Sequence, residues 1–232
     1  MGRRLSFPAA PMLSSLIPIF TRYTLLCAEA DKLFDQIRSL YPDCVACSLG
    51  CSDCCHAMFD LSLVEALYLN QQFRQIITFG PRRSAIMDAA GEADRLATRV
   101  KRELHKTSKN ADIRQVMADA ARIRIRCPLL DDENRCQLYK HRPITCRLYG
   151  VPAAIAGEAH VCGKNTFNKG QSYPTVALEK IQDRLAAMSR EIAQTLGTRF
   201  KDLHLVYVPV SMALLTQYDA NYLGLGPVKP EP

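Results

Sequence analysis

Between Tyr23 and Leu40 the apolar residues Leu26, Leu33, Ile37 and Leu40 recur at helical spacing, with Asp, Glu, Lys and Arg between them. Such a stripe predicts an amphipathic helix with one face toward a core. Pro42 ends it. A second helix is expected to start at Ser62, which with Glu65 three residues on forms a capping box ahead of Val64, Leu67, Tyr68 and Leu69. Gly80 and Pro81 stop that run. From Arg82 to about Lys106, the residues Ile86, Ala89, Ala90, Ala93, Leu96, Ala97 and Val100 mark a long, alanine-rich helix. Ile113, Val116, Met117, Ala120, Ala121 and Ile125 mark another, ending before Pro128. The last long helix is expected from Thr175 to Leu196 with Gly197 as its stop, followed by a short one from Val210 to Tyr218.

Two stretches carry neither period. Asp43 to His56 is short, holds Gly50 and reads as a loop. Cys127 to Cys162 contains Pro128, Pro143, Pro152, Gly150, Gly157 and Gly163 and must be mostly turn. No strand-like runs alternate with the helices, which disfavours a doubly wound sheet, a TIM barrel or a Rossmann domain. The fold class is therefore mostly α: a helical domain with two irregular cysteine-rich metal-binding loops that meet at one place. The organisation expected is an N-terminal arm (1–22), one helical cysteine-cluster domain (23–223) and a disordered tail (224–232). Arg3 and Arg4 do precede a mildly apolar stretch, Ala9 to Phe20, but Pro8, Pro11 and Pro18 interrupt it, so it reads as an arm and not as a cleaved signal.

Composition changes the picture at one point, the ten cysteines. A chain of 232 residues, 48% of them hydrophobic, has enough core to fold without disulfides. No window approaches the ~18 apolar residues of a membrane span. A soluble, cytoplasmic protein is expected, and in a reducing compartment closely spaced cysteines bind metal or do redox chemistry. The first group reads Cys44-x2-Cys47-x3-Cys51-x2-Cys54-Cys55 and the second Cys127-x8-Cys136-x9-Cys146-x15-Cys162. Two residues between cysteines let a turn aim both sulfurs at one ion, and soft thiolates select zinc or iron–sulfur over magnesium or calcium.

The candidate ligands are Cys47, Cys51, Cys54, Cys55, Cys127, Cys136, Cys146 and Cys162. Eight would satisfy two four-coordinate zinc sites, or one 4Fe-4S cubane with four thiols left for another role, and both stay open. Cys54 and Cys55 are adjacent, and neighbours in extended backbone point apart, so one of them can serve a second centre. Cys27, inside a helix among Leu25, Leu26 and Ala28, is read as a buried structural thiol. Cys44 lies just outside the tight motif. His56 and His141 neighbour motif cysteines but are read as surrounding or solvent-facing residues, and Tyr139 and Tyr149 as packing residues. Arg142 and Arg147 either supply donors to the excess negative charge of four thiolates or pair with Asp131, Asp132 or Glu133. Cys47-x3-Cys51-x2-Cys54 also has the spacing of radical S-adenosylmethionine enzymes, which carry it on a βα barrel that this pattern lacks.

Taken together, Gly50-Cys51-Ser52-Asp53-Cys54-Cys55, Leu61-Ser62-Leu63-Val64-Glu65-Ala66, Cys127-Pro128-Leu129-Leu130, Cys136-Gln137-Leu138-Tyr139 and Arg142-Pro143-Ile144-Thr145-Cys146-Arg147 resemble the YkgJ-like cysteine-cluster family, the CxxCxxCC proteins described as zinc- or iron-chelating. The resemblance implies a shared metal-binding core over about Cys47 to Cys162. It also implies kinship with flagellin lysine N-methylases, which are thought to use an iron–sulfur centre and S-adenosylmethionine.

The net charge of +7 is unevenly placed: Arg82 to Arg126 holds twelve Lys or Arg against six Asp or Glu. An acidic protein partner is expected more than nucleic acid, because no recognition motif or stacking aromatic residue accompanies the charge. No Ser-His-Asp order, phosphate-cradling glycine loop or HExxH pair is present. The sequence thus predicts a metal-binding protein holding an iron–sulfur cluster for electron transfer or a partner protein. The alternatives are a methyltransferase-like or redox enzyme using S-adenosylmethionine, and a zinc-stapled adaptor.

Overall fold

The structure, a computed structural model, describes residues 10–108, 122–155, 157–168 and 170–226. Its order is α1 (Ala10–Leu40), β1 (Asp60–Ser62), α2 (Leu63–Ile76), α3 (Pro81–Ser108), α4 (Ile144–Leu148), β2 (Ala153–Ile155), β3 (Glu158–His160), β4 (Val176–Ala177), α5 (Leu178–Leu196), β5 (Tyr207–Pro209) and α6 (Val210–Leu215). Helices dominate, and the strands are two or three residues long.

The centre of the molecule is α2. Leu63 to Asn70 are all buried and Phe73 is fully buried, so this helix is enclosed on every side instead of lying on a surface. The capping box forms: Ser62 Oγ donates to Glu65 Oε2 at 2.8 Å and the Ser62 N–H to the same atom at 3.1 Å. Burial of the polar Asn70 is tolerated because its amide donates to the carbonyls of Ala213 (2.8 Å), within α6, and Thr216 (3.1 Å), just beyond its end. Around α2 pack α1, α5 and α6, with α3 against the far side of α6. β1 pairs antiparallel with β5, Leu61 opposite Val208, and β2 is flanked by β3 (antiparallel) and β4 (parallel).

Several expectations need correction. The first helix does not start at Tyr23: it is continuous from Ala10 to Leu40 with Pro18 inside, so the segment expected as an arm is helical from Ala10. Leu16, Ile19, Phe20 and Tyr23 all point into the core, and burial of four large side chains, worth several kcal/mol, outweighs about 3 kcal/mol for an interior proline. Residues 1–9 lie outside the described residues. The helix expected over Ile113–Ile125 falls mostly on 109–121, also outside them; at its expected end the chain is extended, Arg124 bridging Ala57 and the Ile125 N–H donating to the His56 carbonyl. Pro81 does not only stop one helix; it is the first residue of α3, where its missing N–H costs nothing. Val176 and Ala177 belong to β4 and not to α5, whose other end is as expected: Gly197 takes φ +59° and donates back to Ala193 and Gln194. In the tail, Gly224 and Leu225 are bonded to Arg199 and Ala220 and Leu225 packs on the core, while 227–232 lie outside the described residues.

Candidate metal centre

The two irregular loops do meet. Their backbones are stitched where the Cys127 N–H donates to the Cys55 carbonyl at 2.7 Å, next to the Ala57–Arg124 bridge. A second bridge, Leu130 with Cys136, folds the downstream loop so that Cys127 and Cys136 lie side by side. Thr145 and Cys146 sit on α4, whose first N–H groups need acceptors; the Ile144 N–H finds Glu65 Oε1 at 3.2 Å. Glu65 is therefore shared between the cap of α2 and the start of the helix that carries Cys146. Burial raises its carboxyl above the usual range.

All eight predicted cysteines line one cavity of about 540 Å³, together with Asp53, Tyr139, Tyr149 and several arginines. Every cysteine of the chain is a free thiol. Cys27 and Cys44 are outside the cavity lining: Cys27 is buried against Tyr23, as expected of a structural thiol, and the Cys44 carbonyl accepts the Thr166 N–H. His56 Nδ1 donates to the Ser52 carbonyl and His141 Nδ1 bonds the Tyr68 hydroxyl, and neither histidine is part of the cavity lining. Among the described residues no three His, Cys, Asp or Glu side chains already converge at ion-binding distance, so the arrangement is a lined cavity and not a collapsed cage.

Within the cavity the thiols fall into neighbourhoods. Cys54 and Cys55 share a hydrogen bond that lowers Cys54 to about 7 and raises Cys55 strongly. Cys127, Cys136 and Cys146 feel the same Cys54 charge. Burial pushes Cys127 up to about 12 and raises Cys136 and Cys146 too. Opposing that, the backbone N–H of Leu129 faces the Cys127 sulfur and that of Leu138 the Cys136 sulfur, each lowering its pKa. The other neighbourhood is Cys47, Cys51 and Cys162. Cys47 is pushed up to about 11 by burial, then by the nearby Cys51, Cys162 and Cys54 sulfurs, so Cys54 acts on both neighbourhoods, and the Lys164 N–H faces the Cys162 sulfur.

The arginines follow neither expectation fully. Arg142 and Arg147 both pair with Asp31 on α1, the former at 2.9 Å, and not with Asp131, Asp132 or Glu133. Arg147 is buried and also donates to the Lys140 and Arg142 carbonyls at 2.7 and 2.9 Å. Arg142, stacked on Tyr139 at 4.0 Å, still lowers the pKa of Cys54, Cys136 and Cys146. Positive charge thus does face the thiols while its geometry is fixed from α1. Much of the basic stretch is spent internally as well: Lys101 on Asp60, Arg83 against the Phe73 and Phe79 rings, and Arg124 on Asp53.

Besides the Asp31 anchor, two residues escaped the sequence reading. Asp53 accepts from the Cys162 thiol at 3.2 Å and from Arg124 at 2.7 Å, and although burial works against it, these partners and Tyr149 hold its carboxyl below the usual range. Asn165 joins the two loops: its Oδ1 accepts from the Ala46 N–H at 3.0 Å and its Nδ2 donates to the Gly150 carbonyl at 2.7 Å. The signal for both was their place, one between Cys51 and Cys54 and the other three residues past Cys162.

The donor set fits a soft metal: eight thiols, no disulfide, N–H donors on three of the sulfurs and cationic side chains beside them. No helix among the described residues is long and apolar enough to cross a membrane. No curated protein and no solved structure matches the chain. The model of the CxxCxxCC family, "Putative zinc- or iron-chelating domain", matches residues 46–167, which is more than half of the 232 and includes all eight cavity cysteines, and the chain belongs to that family.

Proposed function

We propose that the protein is an iron–sulfur protein, its cluster held by cysteines of the cavity and used for electron transfer to, or delivery to, a partner protein. The observation that carries this reading is eight free thiols on one cavity of about 540 Å³. A space the size of a single water is only about 10–15 Å³ by the same kind of measure, so the cavity has room for a polynuclear centre. The N–H groups on Cys127, Cys136 and Cys162 and the Arg142 charge are the features that tune such a centre, since hydrogen bonds and charge at the sulfurs set the potential of a cluster. When bound, the cluster supplies one-electron chemistry. The residues hold the sulfurs in place, orient them and exclude bulk water from the buried Cys55 and Cys162.

Purification without oxygen, with iron and acid-labile sulfide measured beside zinc, tests the reading. Comparable iron and sulfide in a coloured protein is the expected result. A colourless protein with zinc alone overturns it and leaves a zinc-stapled adaptor. Tight S-adenosylmethionine binding by the cluster-loaded protein would turn the reading toward an enzyme.

A further inference from the structure

The two faces of α3 differ in character. Ile86, Ala90, Ala93 and Ala97 are buried, and Ala93 and Ala97 line the thiol cavity, where their small side chains bring the cavity up against the helix itself. With about 3.6 residues per turn, Arg95, Arg99 and Arg102 fall together on the opposite face, four and three residues apart, over about 10 Å of helix axis. All three are exposed, and Lys106 continues the row one turn further on. Beside Arg95 and Arg99, Leu96 is 42% exposed and adds an apolar contact to the same surface.

These three arginines differ from the other cations of the basic stretch. Lys101 is held by Asp60 at 2.6 Å, Arg82 by the Gln137 side chain at 2.7 Å, Arg124 by Asp53 at 2.7 Å and Lys106 by Glu103 at 2.9 Å, while Arg83 is buried. Among the described residues, Arg95, Arg99 and Arg102 have no ion pair and no side-chain hydrogen bond. Even Glu92, exposed three residues before Arg95, leaves that arginine unpaired. Like charges four residues apart on a helix repel. The helix dipole favours cations only within the last turn, which takes in Lys106 and not the three arginines. The row is therefore a repulsion that the chain leaves uncompensated and that carboxylates on another molecule relieve.

We infer that this face of α3 is the docking surface for a protein partner, and that the partner presents a row of carboxylates to Arg95, Arg99 and Arg102. The role of the surface rests on the partner reading proposed above, although the binding itself does not. Guanidinium groups match carboxylates two bonds at a time, and arginine is enriched where proteins meet. A short acidic protein segment fits better than a long polyanion. No Phe, Tyr or Trp lies on α3 for a base to stack on, and Asp88 and Glu92, exposed on the same face just before the row, repel a phosphate backbone or an anionic lipid surface that extends past it. A partner seated here is separated from the cavity by one helix, about 10 Å across, which places it for electron transfer without opening the thiol loops.

Backbone amide NMR of the full chain provides the test, because it reads weak binding and locates it. The probe is a helical peptide of about 14 residues with Glu at the matching four- and three-residue spacing. At low ionic strength it is expected to shift amides within 92–106, and the shifts are expected to vanish at about 1 M salt, where the screening length is about 3 Å. Arg95→Glu, Arg99→Glu and Arg102→Glu together are expected to weaken binding roughly 10-fold or more, as loss of three exposed ion pairs would, and to create binding for the same peptide with Lys in place of Glu. Shifts centred elsewhere, or unchanged in the triple variant, overturn the inference. So does duplex DNA or a phosphatidylserine vesicle that shifts the same amides more strongly at equal charge. Should the triple variant not fold, the map in the unmodified protein decides alone. Zinc in place of iron would overturn the iron–sulfur reading and leave this map untouched, whereas a failed map with iron and sulfide present would leave that reading standing.

Discussion

The helical frame and the cysteine half are held together by different physics. In the frame, Phe73, Leu69, Leu63, Tyr23 and Ile19 interlock as large, fully enclosed side chains, and even the buried Asn70 has its partners. The cysteine half roots Leu138, Ile144, Leu148 and Val151 in that same core, but its loops are joined to each other and to α1 by a few polar bonds between distant segments: Cys127 to Cys55, the Asn165 clamp, and Asp31 with Arg142 and Arg147. The difference teaches that apolar burial, which no metal supplies, holds the frame and the roots of the loops, whereas the loops themselves line a cavity with eight thiols.

The sharpest way to separate the two is to injure each alone. Phe73→Ala should cost about 3–5 kcal/mol in chemical denaturation and leave metal stoichiometry unchanged. Removing metal with a chelator should do the reverse, keeping most of the far-ultraviolet helix signal while cleavage by a protease rises within 43–57 and 122–175. Arg147→Ala attacks the seam between the regions; losing an ion pair to the half-exposed Asp31 and two carbonyl bonds should cost about 2–3 kcal/mol. Gly150→Ala should cost about 1–2 kcal/mol by overpacking, with a larger loss in the affinity of the Cys47 neighbourhood, read by cadmium titration.

The smallest effect concerns pH. Glu65 binds its proton more tightly when folded than when unfolded, because burial raises its pKa. The folded state therefore holds more protons than the unfolded state between the ordinary glutamate value and the raised one, and stability falls as pH rises through that window. In metal-free protein, urea denaturation from pH 4 upward should show this decline, and Glu65→Gln should flatten it. A Glu65→Gln slope equal to that of the parent would mean the Ser62 and Ile144 bonds cancel the burial.

What was readable in the sequence follows the same division. Ser62 with Glu65 and Gly197 announce helix ends through bonds within four residues, and the structure keeps both. Prolines mislead when burial overrides them, as at Pro18, because local cost says nothing of the core a segment will meet. Strands of two or three residues are too short for any period. The eight cysteines were recognisable from spacing and from family resemblance, and the structure gathers all eight at one cavity. Asp53, Asn165 and the Asp31 anchor were not, since each works through a partner about a hundred residues away.

The Asn165 clamp also has a meaning in time. It lies about a hundred residues after Cys55, and a ribosome adding roughly 5–20 residues per second needs roughly 5–20 s to deliver it once the first five loop thiols have been made. During that interval Cys47, Cys51, Cys54 and Cys55 are without the downstream cysteines of the same cavity, so an ion captured early would be held by an incomplete set of ligands. Loading after synthesis, or guarding of the nascent thiols by another molecule, is the route that this chain order favours.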